Sequence, residues 1–195
     1  MFRYFIIHKP FNTLSQFTSE GGKKTLADYF NVPKDIYPVG RLDYDSEGLL
    51  ILTNDKKLNH RLLHPTFKHE REYWVQVDGA ITENAIQQLR NGVTINVDGK
   101  IYATKKSTVE FFENEPKVAI RNPPIRERKN IPAPWIKMIL QEGKNRQVRK
   151  MTASVGFPTL RLIRYRIEQI TLADLQTGEM LELSAKNLYK ELFNE

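Results

Sequence analysis

Residues 40–55 read GRLDYDSEGLLILTND. Three carboxylates, Asp43, Asp45 and Glu47, alternate behind Arg41, and Gly48 and an apolar run follow. A calcium loop, a magnesium-dependent nuclease site, a catalytic carboxylate and a solvated turn are the competing readings. In the calcium pattern, ligands fall at positions 1, 3 and 5, Gly at 6 and Glu at 12. Gly48 fits position 6, but Glu47 replaces the usual Asp or Asn at 5, and Asn54 stands at 12. The flanks YPVG and LLILT are poor helices, so the stretch argues against an EF-hand. Paired carboxylates can hold Mg²⁺ against a phosphate, which keeps the nuclease reading open.

The chain around this acidic knot is basic. It has 195 residues, is 40% hydrophobic and 10% aromatic, and carries a net charge of +7. That length and composition fit a globular chain with a real core rather than a disordered one. Residues 121–166 hold 12 Lys/Arg and only 2 Asp/Glu, so the remainder is net acidic. A concentration of cations of this kind attracts polyanions, because neutralising phosphates releases condensed counterions. The absence of Cys excludes disulfides and thiolate metal sites. The start, MFRYFIIHKPF, lacks the length and small-residue cleavage site of a signal peptide. No apolar stretch reaches the roughly 20 residues that span a bilayer. A cytoplasmic soluble protein is expected.

Strand-like stretches are expected at 2–8, 49–53, 71–79, 107–112, 116–120, 135–140 and 161–170. In 71–79, Tyr73, Val75 and Val77 alternate with Trp74 and Gln76 as in a half-buried strand. Helical stretches are expected at 25–30, 56–63 and 83–91, the last capped by Thr82. A further helix is expected over 145–155, with Asn145 as N-cap and Gly156 just past its end. In it, Arg146, Arg149 and Lys150 would share one face. Asp98-Gly99 marks a hairpin turn. RNPPIRERKNIPAP (121–134) must be a loop, since its four prolines remove amide donors. Strands outnumber helices and short turns join several, which argues for an α+β fold with a largely antiparallel sheet. His60, His64 and His69, spaced four and five apart, make a weak metal case and are expected as helix and loop positions.

The opening stretch resembles the signature G-R-L-D-x-x-S-x-G-L-L-x-L-T-N-D of the pseudouridine synthases that act on ribosomal RNA. Arg71-Glu72-Tyr73-Trp74-Val75 resembles the family's basic-x-Tyr-x-Val strand. Residues 142–150, EGKNRQVRK, resemble its E-G-[KR]-x-[RH]-Q-[IV]-R-[KR] segment. HKPFNTLSQF (8–17) resembles its N-K-P-x-G-x-L turn, with Asn12 in place of Gly, which left-handed geometry tolerates. The resemblance covers nearly the whole chain. It narrows to members acting on the large-subunit (23S) RNA that begin directly at the catalytic domain, without an N-terminal RNA-binding module of the S4 type.

The resemblance implies a single catalytic domain over 1–195. It implies a mixed, mostly antiparallel central sheet flanked by helices, with two lobes around a basic cleft. It implies site-specific isomerisation of uridine to pseudouridine, no cofactor and no metal. Asp43 is then the catalytic carboxylate, Arg149 the cation that pairs with it, and Tyr73 the ring that stacks on the uracil. Ile139, taken as inward on its strand, completes the uracil pocket with Tyr73. The RNA is expected to meet Arg41, Arg121, Arg126, Arg128, Lys129, Lys144, Arg146 and Lys150. For Arg41, an ion pair with Asp45 or Glu47 is the structural alternative. The partner expected is large-subunit ribosomal RNA, free or in a precursor particle, and the protein is expected to be a monomer. The rival function is a non-catalytic RNA-binding or ribosome-assembly protein on the same scaffold.

Overall fold

The computed structural model describes residues 1–125, 128–172 and 175–195. Its strands are β1 (Tyr4–Lys9), β2 (Tyr37–Pro38), β3 (Glu47–Thr53), β4 (Arg71–Val77), β5 (Thr94–Val97), β6 (Lys100–Ala103), β7 (Thr108–Phe111), β8 (Trp135–Leu140), β9 (Thr159–Ile167), β10 (Ile170–Thr171) and β11 (Met180–Leu183). Its helices are α1 (Lys56–Leu63), α2 (Glu83–Asn91), α3 (Gln147–Ser154) and α4 (Ala185–Phe193). The chain divides into two compact units, one of residues 1–69 and 163–195, the other of 70–162.

In the first unit the strands run in the order β11-β1-β3-β9. β1 lies antiparallel to β3, from Tyr4 opposite Thr53 to Lys9 opposite Gly48. β9 meets the start of β3 in parallel register, Gly48 opposite Arg164. All seven residues of β3 are buried. That is why the sequence there reads as an unbroken apolar run rather than an alternation. Phe5, Ile7, Leu50 and Leu52 pack with Leu26, Phe30 and Ile36 to form this unit's core. The helix expected at 25–30 is a single 3-10 turn, Leu26–Asp28, closed by a reciprocal cap between Thr25 and Asp28. α1 occupies the residues expected of it, and Asp55 caps it by accepting the amides of Lys57 and Leu58.

In the second unit β4, β8 and β7 are neighbours in that order, all antiparallel. β5 and β6 form the expected hairpin. Its turn residues Asp98 and Gly99 have φ of 52° and 84°, the left-handed pair that such a tight turn requires. Val75, Val77, Ile86, Leu89, Val109, Ile136, Met138 and Met151 are the centre of this unit's core. The α+β expectation holds. The expected strand at 116–120 is absent, and the segment is irregular and mostly exposed. β11 and α4 were not foreseen. α4 is capped by Ser184, whose side chain accepts the amide of Asn187, and its buried residues are Leu188 and Leu192. Among the described residues no helix is long and apolar enough to cross a membrane.

Candidate active site

The loop that carries Asp43 is held at both ends. At its C-terminal end, Gly48 has φ of 114°, and a Cβ there would lie 2.3 Å from the carbonyl oxygen of Arg164. Only glycine lets the backbones of β3 and β9 approach this closely. On the N-terminal side, Ser15 grips Leu42 twice: its Oγ accepts the Leu42 amide at 3.0 Å and donates to the Leu42 carbonyl at 2.8 Å. The Thr13 amide donates to the Tyr44 carbonyl at 3.3 Å, and the Ser46 amide closes the turn onto the Asp43 carbonyl at 3.1 Å. Asn12 bends the supporting turn with φ of 52°, as its substitution for glycine suggested. Asp43 is thus a half-buried carboxylate on a fixed backbone.

Of the other two acids of the knot, Asp45 is half-buried. Glu47 is only 2% exposed and opens β3. It faces the electrostatic field of Lys9, whose side chain is fully buried at the end of β1. The Lys9 ammonium donates to the carbonyls of Pro10 at 2.9 Å and Thr13 at 2.6 Å, which ties the 10–13 turn together. Burial pushes its pKa down to about 7, while Glu47, Asp45 and Asp43 pull it upward. Sequence reasoning read Lys9 only as part of a turn motif. The signal was a lysine placed at the end of a strand whose other residues are nearly all buried. Among the described residues, no group of three or more His, Asp or Glu is placed to hold a metal ion. Arg41 is exposed, and among the described residues it pairs with neither Asp45 nor Glu47, which corrects the ion-pair alternative.

The end of the signature is structural. The Thr53 hydroxyl donates to the Arg3 carbonyl at 2.7 Å, and Asn54 accepts the Arg3 amide at 3.0 Å. Asp55 accepts the hydroxyls of Tyr4 at 3.0 Å and Tyr189 at 2.7 Å in addition to the α1 amides. Burial pushes the Asp55 carboxyl up, but these donors, Tyr189 foremost, outweigh it and hold its pKa below the ordinary value. The last two residues of the motif therefore tie β1, and through Asp55 α1 and α4, to the end of β3.

In the second unit, Tyr73 is 9% exposed at the margin of the core, on the face it shares with its cross-strand partner Met138. Ile139 stands opposite Glu72, so alternation puts it on the other face of the sheet. Ile136, Met138 and Leu140 are the inward residues of β8, and Ile139 is only half-buried. Ile139 and Tyr73 thus do not line one pocket, which corrects the inward reading of Ile139.

α3 starts later than expected. Its N-cap is Arg146, in left-handed geometry with φ of 53° and no side-chain cap, not Asn145, whose amide donates to Asp98 at 2.9 Å. Arg146 therefore lies outside the helix and does not share a helical face with Arg149 and Lys150. The turn before α3 is organised by Glu142, which accepts Tyr102 Oη at 2.6 Å, the Lys105 amide at 2.9 Å and Gln147 Nε2 at 2.5 Å. The bond to Glu142, aided by burial, pushes the Tyr102 phenol up to about 12. Arg149 and Lys150, in the first turn of α3, are half-buried, and the Lys144 ammonium lies 4.9 Å from the centre of the Tyr102 ring.

The cations of the proline-rich loop are partly engaged by the protein itself. Arg121 donates to the carbonyls of Pro123 at 2.9 Å and Pro124 at 3.4 Å, and Arg128 pairs with Asp78. Lys129 is exposed, and Arg126 lies outside the described residues. A cavity of about 540 Å³ opens beside this loop, its lining including Gln76, Asp78, Arg121, Arg128, Trp135 and Arg161. Arg161, not anticipated from sequence, is 6% exposed, donates to the Ala119 carbonyl at 2.9 Å and lies 5.9 Å from the Trp135 ring centre.

The family model described as RNA pseudouridylate synthase matches residues 3–154. The chain is 51% identical over 178 residues to ribosomal large subunit pseudouridine synthase E of Vibrio parahaemolyticus, covering 91% of this chain and 72% of that protein. It is 48% identical over 164 residues to the protein of the same name from Xanthomonas axonopodis, covering 83% of this chain and 84% of that one. A solved structure described as a pseudouridylate synthase superposes with a TM-score of 0.79 at 25% identity, over 98% of this chain and 74% of the other. The chain belongs to the RNA pseudouridylate synthase family.

Proposed function

We propose that this protein isomerises a uridine of large-subunit (23S) ribosomal RNA to pseudouridine, with Asp43 as the catalytic carboxylate. The observation that carries this reading is the half-buried Asp43 on a loop fixed by Ser15, Thr13 and Gly48, in a chain about half identical to proteins named for that activity. The reaction breaks the C1′–N1 bond, turns the uracil while it is held, and rejoins it to C1′ through C5. A carboxylate can serve by adding to C6, by adding to C1′, or by taking the C2′ proton. A fixed backbone favours all three, since the reactive oxygen must meet one atom of a bound nucleotide in a narrow range of geometry.

The target base sits in stacked RNA and must be flipped out to be reached. By its place in the family motif, Tyr73 supplies the stacking ring, and such stacking contributes about 1–3 kcal/mol. Arg149, by the same argument, compensates the charge of the carboxylate. Arg41, exposed one residue before Leu42-Asp43, is the candidate to occupy the space of the flipped base or clamp its phosphate. The exposed cations Lys129, Lys144 and Arg146 hold the RNA backbone, with Arg128 and Lys150 beside them. The enzyme is read as one catalytic domain working as a monomer in the cytoplasm. Asp43→Asn, assayed on a uridine-bearing fragment of large-subunit RNA, tests the assignment. Loss of pseudouridine with unchanged RNA binding is expected, and activity should persist in EDTA. Turnover by the variant at the wild-type rate would overturn it.

A further inference from the structure

α1 and the 3-10 turn after it (Pro65–Phe67) carry a surface that the catalytic scheme does not use. From Lys56 to Lys68 there are four Lys/Arg, two His and no Asp or Glu, although the chain outside 121–166 is net acidic. Arg61 is engaged by Glu195 at 2.7 Å, but Lys56, Lys57 and Lys68 are exposed and enter no ion pair among the described residues. Two of these lysines stand in the first turn of α1, where the positive end of the helix dipole disfavours a cation. Their placement costs the helix stability rather than adding to it. Local rules are broken in this way where a surface serves an external partner.

The same surface exposes aromatic rings. α1 needs only Leu58 and Leu62 for the core, yet Phe67 is 48% exposed and Leu63 43%. His60 and His64 lie 5.2 Å apart, His64 and Phe67 5.9 Å, and Phe67 is stacked near His69 at 6.0 Å. His64 Nδ1 accepts the Thr66 amide, so in the neutral ring Nε2 bears the proton and is a donor. The patch borders the catalytic loop. A Cβ on Gly40 would meet a Leu63 methyl at 2.8 Å, so the end of α1 lies directly against the start of Gly40-Arg41-Leu42-Asp43.

We propose that this α1 patch is a second RNA-binding surface, which takes a single-stranded or looped segment of the substrate flanking the target uridine. Lys56, Lys57 and Lys68 meet phosphates, and His64 and Phe67 stack with unpaired bases. The charge is complementary to RNA, and rings interleaved with cations are the composition that binds single strands without strict sequence preference. The inference rests on RNA being the substrate, and its test separates the two.

The test compares the wild type with Lys56→Glu/Lys57→Glu and with Phe67→Ala. Each full-length protein is titrated with a fluorescent large-subunit RNA fragment across a range of salt. Thermal melts run in parallel, and wild-type pseudouridine formation is measured separately. The double variant should melt no lower than the wild type, since Glu suits a helix N-terminus. It should bind about tenfold or more weakly, with the log–log salt slope shallower by about 1.5. Phe67→Ala should weaken binding severalfold with an unchanged slope. Wild-type affinity and slope in both folded variants would overturn the patch while leaving the enzymatic reading intact. Patch-dependent binding without pseudouridine formation would support the patch and sink that reading. Unchanged RNA affinity together with lost retention of a ribosomal protein would also overturn the RNA assignment.

Discussion

The Asp43 loop and the described residues of the proline-rich loop 121–134 are both irregular, and they are built on opposite principles. The first is pinned by backbone and hydroxyl hydrogen bonds, ends on a buried strand, and tolerates only glycine at its exit. The second is mostly exposed, and Arg121 and Arg128 bond to its own carbonyls and to Asp78. A group that must meet one atom needs a fixed backbone. Groups that hold a long polyanion need charge and reach. Perturbing the two loops should therefore separate chemistry and stability from salt-dependent affinity.

The largest effect is expected at Gly48→Ala. The new methyl would overlap the Arg164 backbone at a φ that side chains rarely adopt, costing about 3 kcal/mol or more, read as a lowered melting midpoint in urea. Asp55→Ala comes next. It removes a helix cap and leaves two tyrosine hydroxyls without their acceptor, for about 2–4 kcal/mol. The sign of its pH dependence follows from the depressed carboxyl. The stability Asp55 gives is fully present above its ordinary value of 3.8 and is lost as pH falls through the lower folded value. The gap between wild type and Asp55→Ala should therefore narrow in acid.

Lys9→Met tests the buried support of the loop. The folded pKa of Lys9, about 7, lies below its ordinary 10.5, so the unfolded chain binds more protons between those values. Wild-type stability relative to Lys9→Met should rise from pH 7 towards 10.5 and be flat below 7. A flat difference across that window would place the Lys9 charge elsewhere. The smallest effect belongs to the second loop. Arg128→Ala breaks an exposed pair with Asp78 and should change stability by at most about 1 kcal/mol. It should still lower RNA affinity and reduce the salt slope by roughly 0.7–0.9.

Much of the local structure was legible in the sequence wherever pattern and turn chemistry agree. LLILT reads as a buried strand, Lys56–Leu63 as a helix, and Asp98-Gly99 as a turn, each by a local rule. What local rules missed depends on distant partners. Lys9 is read only as part of a turn motif until Glu47 is seen buried in its field. Arg146 looks helical, but its left-handed backbone sits where the chain turns over Glu142 and Gln147. Ile139 is expected inward from its place on β8, and only the register of β8 against Glu72 shows its face. α4 buries Leu188 and Leu192, and its anchoring through Tyr189 to Asp55 crosses 134 residues of chain.

The central claim is that a single carboxylate of the acidic knot performs the chemistry while its neighbours hold the loop. It is tested most directly by single-turnover pseudouridine formation with Asp43→Asn beside Asp45→Asn, on the same RNA and at saturating protein. Asp43→Asn should melt as the wild type and lose activity by about a thousandfold or more, whereas Asp45→Asn should keep most of it. Wild-type turnover by folded Asp43→Asn would contradict the account.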